Sequence, residues 1–289
     1  MYTVDMSDDI VNKKIEGIMK FFESLEEYYV AQFLEGKWEN DSVEALRLFL
    51  ECYAFKKVGA NDPDIVSFTA NFIRDFIGQK GLEELFRERK EFWNSFKEKY
   101  KKGINENSHP LNPNSSRNSR FIFLDVLKEN EGGSIKIENI VILAKEALSN
   151  GNISEIHKKL CSIGAKIASF FLRDLTLVEK IELPETANKE PYLLQPVDRW
   201  VEHMAELIKL CELKDRHTRI EKRICNLALE HKINPEKTNA GMWYFWTQVM
   251  SEGQKENFLI NSTEKEQKAL ICLVKFLTEP EQRQNDTLA

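Results

Sequence analysis

The chain lacks the cysteine pattern of a disulfide framework or a zinc site: Cys52, Cys161, Cys211, Cys225 and Cys272 are odd in number and include no C-x-x-C pair. A reducing compartment is the expectation. There is no phosphate-binding glycine loop, no H-E-x-x-H and no nucleophile elbow, and the five histidines are dispersed without metal-ligand spacing. Those absences remove the enzyme classes built on these motifs, and no metal is expected. No apolar run approaches the roughly 18 residues of a spanning helix, and no signal peptide is read at the start, so the chain is expected in the cytoplasm and away from membranes. An excess of positive charge is also missing. The formal net charge is −6, which is not the balance of a simple electrostatic nucleic-acid binder.

What is present is ordinary for a folded protein. At 289 residues, with 42% hydrophobic and 30% charged side chains, the chain can bury a sizeable core as one large domain or two lobes. Val11, Ile15, Ile18, Phe22, Leu25, Tyr29 and Phe33 recur at helical spacing and predict one amphipathic helix over 8–34, or two joined near Gly17. The Asn40-Asp41-Ser42 cluster predicts a cap for a helix over 42–57. Further helices are predicted over 63–77, 82–100, 121–129, 137–149, 199–213, 217–231, 235–250 and 264–277, with a loop at 109–119. No strand-like alternation of convincing length and no internal repeat occurs. The expected fold class is therefore all-α. Residues 1–60 are expected to pack with a C-terminal lobe over 186–289, and residues 61–185 to form a central lobe. The proline-bearing stretch 182–194 would cross from one lobe to the other, leaving a cleft between them.

Chemistry concentrates in one region. Asn152, with Glu155 three residues on, reads as the cap of a helix running to Leu160; Gly164 marks a break, and a second helix resumes from Lys166 to Thr176. Helix, tight turn, helix leaves backbone N–H groups at the second N-terminus that can bind a phosphate oxygen. Lys166 lies in that first turn, where the positive end of the helix dipole disfavours an ammonium and a dry setting would favour the neutral, nucleophilic amine. Lys158, Lys159 and Arg173 add local positive charge around the turn. Further on, Asp198 follows Pro196 and precedes the periodic run Trp200, Val201, Met204, Leu207 and Ile208, which predicts a helix N-cap with an ionised carboxylate.

Residues 152–205 resemble the helix-hairpin-helix and downstream catalytic aspartate of the DNA glycosylase superfamily that includes endonuclease III and the 8-oxoguanine glycosylases. The 32 positions between Lys166 and Asp198 are most similar to the archaeal 8-oxoguanine branch. Ser162 stands where the family has its first hairpin glycine, and Cys161 where it has a proline. The resemblance implies a bifunctional glycosylase and abasic-site lyase in which Lys166 forms a Schiff base and Asp198 assists. It implies phosphate contacts at Ser162, Gly164 and Ala165, and base contacts at Phe170, one turn past Lys166, and at Trp243 of an Asn239-Ala240-Gly241-Met242-Trp243 element, with Trp246 as a substitute. Gln32 and Trp93 are further candidates for the base pocket. Double-stranded DNA with a damaged base is the implied partner of a monomer that needs no cofactor. Some relatives hold an iron–sulfur cluster on four closely spaced cysteines after the aspartate; here only Cys211, Cys225 and Cys272 follow it, so none is expected. A non-catalytic helix-hairpin-helix DNA-binding module and a helical protein-interaction module are the alternatives.

Overall fold

The computed structural model describes residues 8–33, 41–49, 52–53, 71–72, 74–81, 87, 91–92, 94–96, 98–99, 127–129, 133, 135–160, 164–184, 190–207 and 217–249. The fold is all-α, and the chain divides into two compact units. One joins Met1–Glu35 to Gln195–Ala289; the other is Gly36–Leu194.

The first unit brings the two ends of the sequence together. Its N-terminal part is α1 (Asp8–Ser24) and α2 (Glu26–Phe33). The break falls at Leu25 and not at Gly17, which is exposed within α1. Ser24 Oγ donates to the Phe21 carbonyl at 2.7 Å and Leu25 N to the Phe22 carbonyl at 3.0 Å, local bonds that tighten the last turn of α1. The C-terminal part contains α7 (Arg199–Leu207), α8 (His217–Glu230) and α9 (Pro235–Tyr244), continued by a π-helical turn at Phe245–Val249. Ile220, Ile224, Cys225 and Ala228 form the buried stripe of α8 at helical spacing. α9 starts from a proline at its first position and Asn234 as cap, with Asn234 Oδ1 accepting from Lys237 N at 2.8 Å. α1 packs directly on α9. At their crossing a Cβ on Gly241 would lie 1.8 Å from the Phe22 carbonyl oxygen, so only glycine lets the two backbones meet. Phe21 and Phe22 both pack against Phe245, and Tyr28 stacks on Tyr244.

The second unit is built around one helix. In chain order its described elements include α3 (Ser42–Phe49), β1 (Leu127–Glu129), β2 (Ile135–Ile137), α4 (Ile140–Ser149), α5 (Ile153–Leu160), α6 (Ala165–Val178) and a 3₁₀ turn at Pro191–Leu194, and residues 74–81 are helical as well. Every residue of α6 from Ile167 to Leu177 is buried, so the helix is enclosed on all sides. Its polar members are satisfied from within. Arg173 Nε and Nη2 bond Asp174 Oδ1 at 2.9 and 2.6 Å, Tyr53 donates to Asp174 Oδ2 at 3.0 Å, and Thr176 Oγ1 donates to the Leu172 carbonyl at 2.9 Å. Phe49 meets Phe171 edge-on at 4.8 Å, which seats α3 in this unit. Residues 42–49 thus belong to the Gly36–Leu194 unit. A second aromatic cluster sets Phe72 edge-on to Phe92 and Phe96 at 5.2 and 5.4 Å.

Residues 127–129 and 137 correct the helical expectation. Residues 127–129 and 135–137 pair antiparallel, Leu127 opposite Ile137 and Glu129 opposite Ile135. The physical signal is Ile135-Lys136-Ile137, apolar and polar in alternation beside Gly133 at φ 77°. α4 then begins only at Ile140, because Asn139 caps it with Oδ1 accepting from Val141 N and Ile142 N.

Candidate active site

The residues singled out from the sequence fall in both units, and each part is described within its own unit. In the Gly36–Leu194 unit α6 is preceded by Gly164, with φ 106° and ψ 134°, a backbone conformation that L side chains rarely adopt. Among the described residues no atom beyond its chain neighbours lies within 4 Å of a Cβ placed there, so its conformation calls for glycine. The Gly164 carbonyl accepts from Ile167 N and Ala168 N at 3.0 and 3.1 Å, which starts the helical ladder and leaves the Ala165 and Lys166 N–H groups outside it. Gly164, Ala165 and Lys166 are all exposed. An anion could reach this turn directly.

Lys166 is thus the exposed entry of a helix that then disappears into the core. Phe170, expected on an open face with Lys166, is 1% exposed, and the Arg173 guanidinium lies 4.9 Å from its ring centroid. Arg173, expected among the cations flanking the turn, is itself fully buried and neutralised by Asp174. Both departures have the same cause. The interior of α6 carries the unit's core all round its circumference, so one turn of spacing does not preserve exposure.

His157 and Ser169 were not read as part of this site. Both are buried, and His157 Nε2 lies 3.1 Å from Ser169 Oγ, linking α5 to α6. The ring is also hydrogen-bonded to the Ala165 backbone. Burial lowers its pKa below the ordinary 6.5, against the opposing pull of that bond and of Glu190. Spacing alone could have suggested the link, since His157 falls on the buried stripe Ile153, Ile156, His157, Leu160 of α5.

In the other unit Asp198 caps α7. Its Oδ1 accepts from Trp200 N and Val201 N, each at 3.0 Å, the arrangement its place before the periodic run predicts. Its Oδ2 accepts from the indole Nε1 of Trp243 on α9 at 2.9 Å. Trp243 also meets Tyr29 of α2 edge-on at 5.6 Å, while Trp246 pairs with Trp200 at 5.9 Å. Asn239, one turn before Trp243, is fully buried and donates to the Pro196 carbonyl at 3.3 Å. The Asn-x-x-x-Trp element therefore grips the Pro196-Val197-Asp198 segment at two points. Gln195, just ahead, is fully buried, with no hydrogen-bond partner for either side-chain atom among the described residues. Gln32 lies in α2, but its side chain, like Trp93, Cys161 and Ser162, is outside the described residues.

Among the described residues, no helix is long and apolar enough to cross a membrane, and no group of three His, Cys, Asp or Glu lies together as a metal site. No protein-family model matches the chain, and no solved structure matches it. An uncharacterized protein of Methanocaldococcus jannaschii is similar to it, 23% identical over 222 residues that cover 68% of this chain and 49% of the relative. The chain thus spans about half the length of the relative it matches.

Proposed function

We propose that the protein is a DNA-repair glycosylase with abasic-site lyase activity, of the helix-hairpin-helix superfamily, that excises oxidised guanine such as 8-oxoguanine from double-stranded DNA. It acts as a cytoplasmic monomer without a cofactor. The observation that carries the reading is Lys166: an exposed lysine in the first turn of a helix whose next eleven residues are all buried, behind a glycine that leaves two N–H groups outside the helical ladder. The capped aspartate of the Pro196-Val197-Asp198 segment supports it from the other unit.

The target nucleotide leaves the stack, because its C1′ is shielded within the duplex. A backbone phosphate sits on the N–H groups behind Gly164, and base contacts come from Trp243, Gln32 and Trp93, while Phe170 stays in the core of α6. Lys166 Nζ bonds to C1′ as the C1′–N bond to the base breaks, and the base departs with a proton. The amine gives one proton through Asp198 or solvent to the departing base and keeps one; as the C1′–O4′ bond breaks, O4′ takes a proton from solvent and a ring-opened protonated imine results. Asp198 opposes the positive charge that builds on the sugar. Loss of a 2′ proton then expels the 3′ phosphate, and water releases Lys166.

Borohydride reduces the imine to a stable amine, which makes the reading testable. Wild-type protein incubated with an 8-oxoguanine duplex and borohydride yields a covalent adduct, and Lys166→Gln yields none. No adduct with any damaged base rejects the proposal. Salt-sensitive DNA binding that persists in Lys166→Gln and Asp198→Asn, without cleavage, identifies a non-catalytic helix-hairpin-helix module instead.

A further inference from the structure

We propose that His157 is the positioning residue of the Lys166 turn, holding the first turn of α6 in place from α5 through the Ala165 backbone and the Ser169 hydroxyl. The role rests on the glycosylase reading above.

The need for such a residue follows from the way α6 begins. Its N-cap is Gly164, which has no side chain to accept from the first-turn N–H groups as Asn139 does for α4 and Asn234 for α9. First turns without caps fray. The two anchors of His157 bracket Lys166 in the sequence, one residue before it and three after, so together they set the direction in which the lysine leaves the helix. His157 is 7% and Ser169 3% exposed, which keeps water from competing for the bond. A neutral imidazole has one donor and one acceptor nitrogen, suited to two different partners, and burial keeps the ring in that form at neutral pH. Lys166 itself touches none of this: the histidine acts through the backbone on which the amine is carried.

The experiment uses an abasic-site duplex and borohydride under single turnover, so that base recognition does not enter. With DNA saturating, His157→Leu should slow adduct formation about tenfold while the DNA concentration for half-saturation moves less than about threefold, the signature of a misplaced reactive group. His157→Asn, whose amide keeps a donor and an acceptor, should recover part of the rate, and Ser169→Ala should lose a smaller share. Tyr53→Phe, which removes a buried bond at the far end of the same helix, should react as wild type does. If His157→Leu reacts at the wild-type rate, or Tyr53→Phe slows as much as His157→Leu, the positioning role is wrong. If the wild-type protein forms no adduct with the abasic site, the glycosylase reading fails and takes this role with it.

Discussion

Trp243 donates its indole N–H to Asp198 Oδ2 at 2.9 Å, while Oδ1 of the same carboxylate caps α7 through two backbone N–H groups. Asp198 is therefore fixed from two helices, α7 and α9, that are far apart in sequence. Trp243 is correspondingly committed: its polar edge faces the aspartate and its ring meets Tyr29. The residue expected to stack on a base is thus first of all a partner of the proposed catalytic carboxylate.

Trp243→Phe keeps an aromatic ring and removes the N–H donor together with part of the indole's volume. If the bond orients Asp198, single-turnover adduct formation with a damaged duplex should fall about tenfold, equivalent to ~1.4 kcal/mol of transition-state stabilisation. Adduct formation at the wild-type rate would show that the two α7 N–H groups hold the carboxylate unaided.

Gly241 is the tightest point of the first unit, where α1 and α9 approach backbone to backbone. Gly241→Ala puts a methyl group into the Phe22 carbonyl, and the helices must separate or shift. The expected loss is about 2 kcal/mol or more, typical of overpacking with a backbone shift, measured as a lower urea midpoint at unchanged slope. Because Phe21, Phe22 and Phe245 share this contact, the variant should also disturb near-ultraviolet aromatic signals. An unchanged midpoint would mean that the helices cross elsewhere in solution.

Features written in local chemistry were legible in the sequence. Asp41 caps α3 with bonds to Val43 N and Glu44 N, Asp198 caps α7, and Gly164 opens α6, each through contacts within a few residues. What spacing could not carry depends on distant packing. The Trp243 bond to Asp198 spans 45 positions, and the Tyr53 bond to Asp174 spans 121. Arg173 looks like surface charge until Asp174 and Phe170 are seen around it, and Phe170 looks open until α6 is seen enclosed. The pairing of 127–129 with 135–137 is hidden for the opposite reason: three residues of alternation are too few to outweigh helical periodicity around them.

Gln195 presents the reverse of a satisfied core group. Its amide is fully buried and, among the described residues, neither polar atom has a partner, so these residues do not repay its desolvation. Gln195→Met preserves length and flexibility without the polar atoms, and should raise stability by about 1 kcal/mol by relieving that cost. The check is the change in urea midpoint. A loss of stability would show that ordered water satisfies the amide.

Glu221 on α8 gives the molecule a pH signature near neutrality. Burial raises its pKa from 4.5 to about 7, against the opposing effect of Lys222. Between those two values the folded chain holds a proton that the unfolded chain has released, so this group's contribution declines as pH rises from 4.5 and is lost above about 7. Glu221→Gln removes the titration while keeping the shape. The variant should match wild type in urea midpoint near pH 4, and exceed it at pH 8, where wild type must hold a charged carboxylate in a half-buried place. A difference between the two proteins that is the same at both pH values would show that Glu221 titrates alike in the folded and unfolded chains.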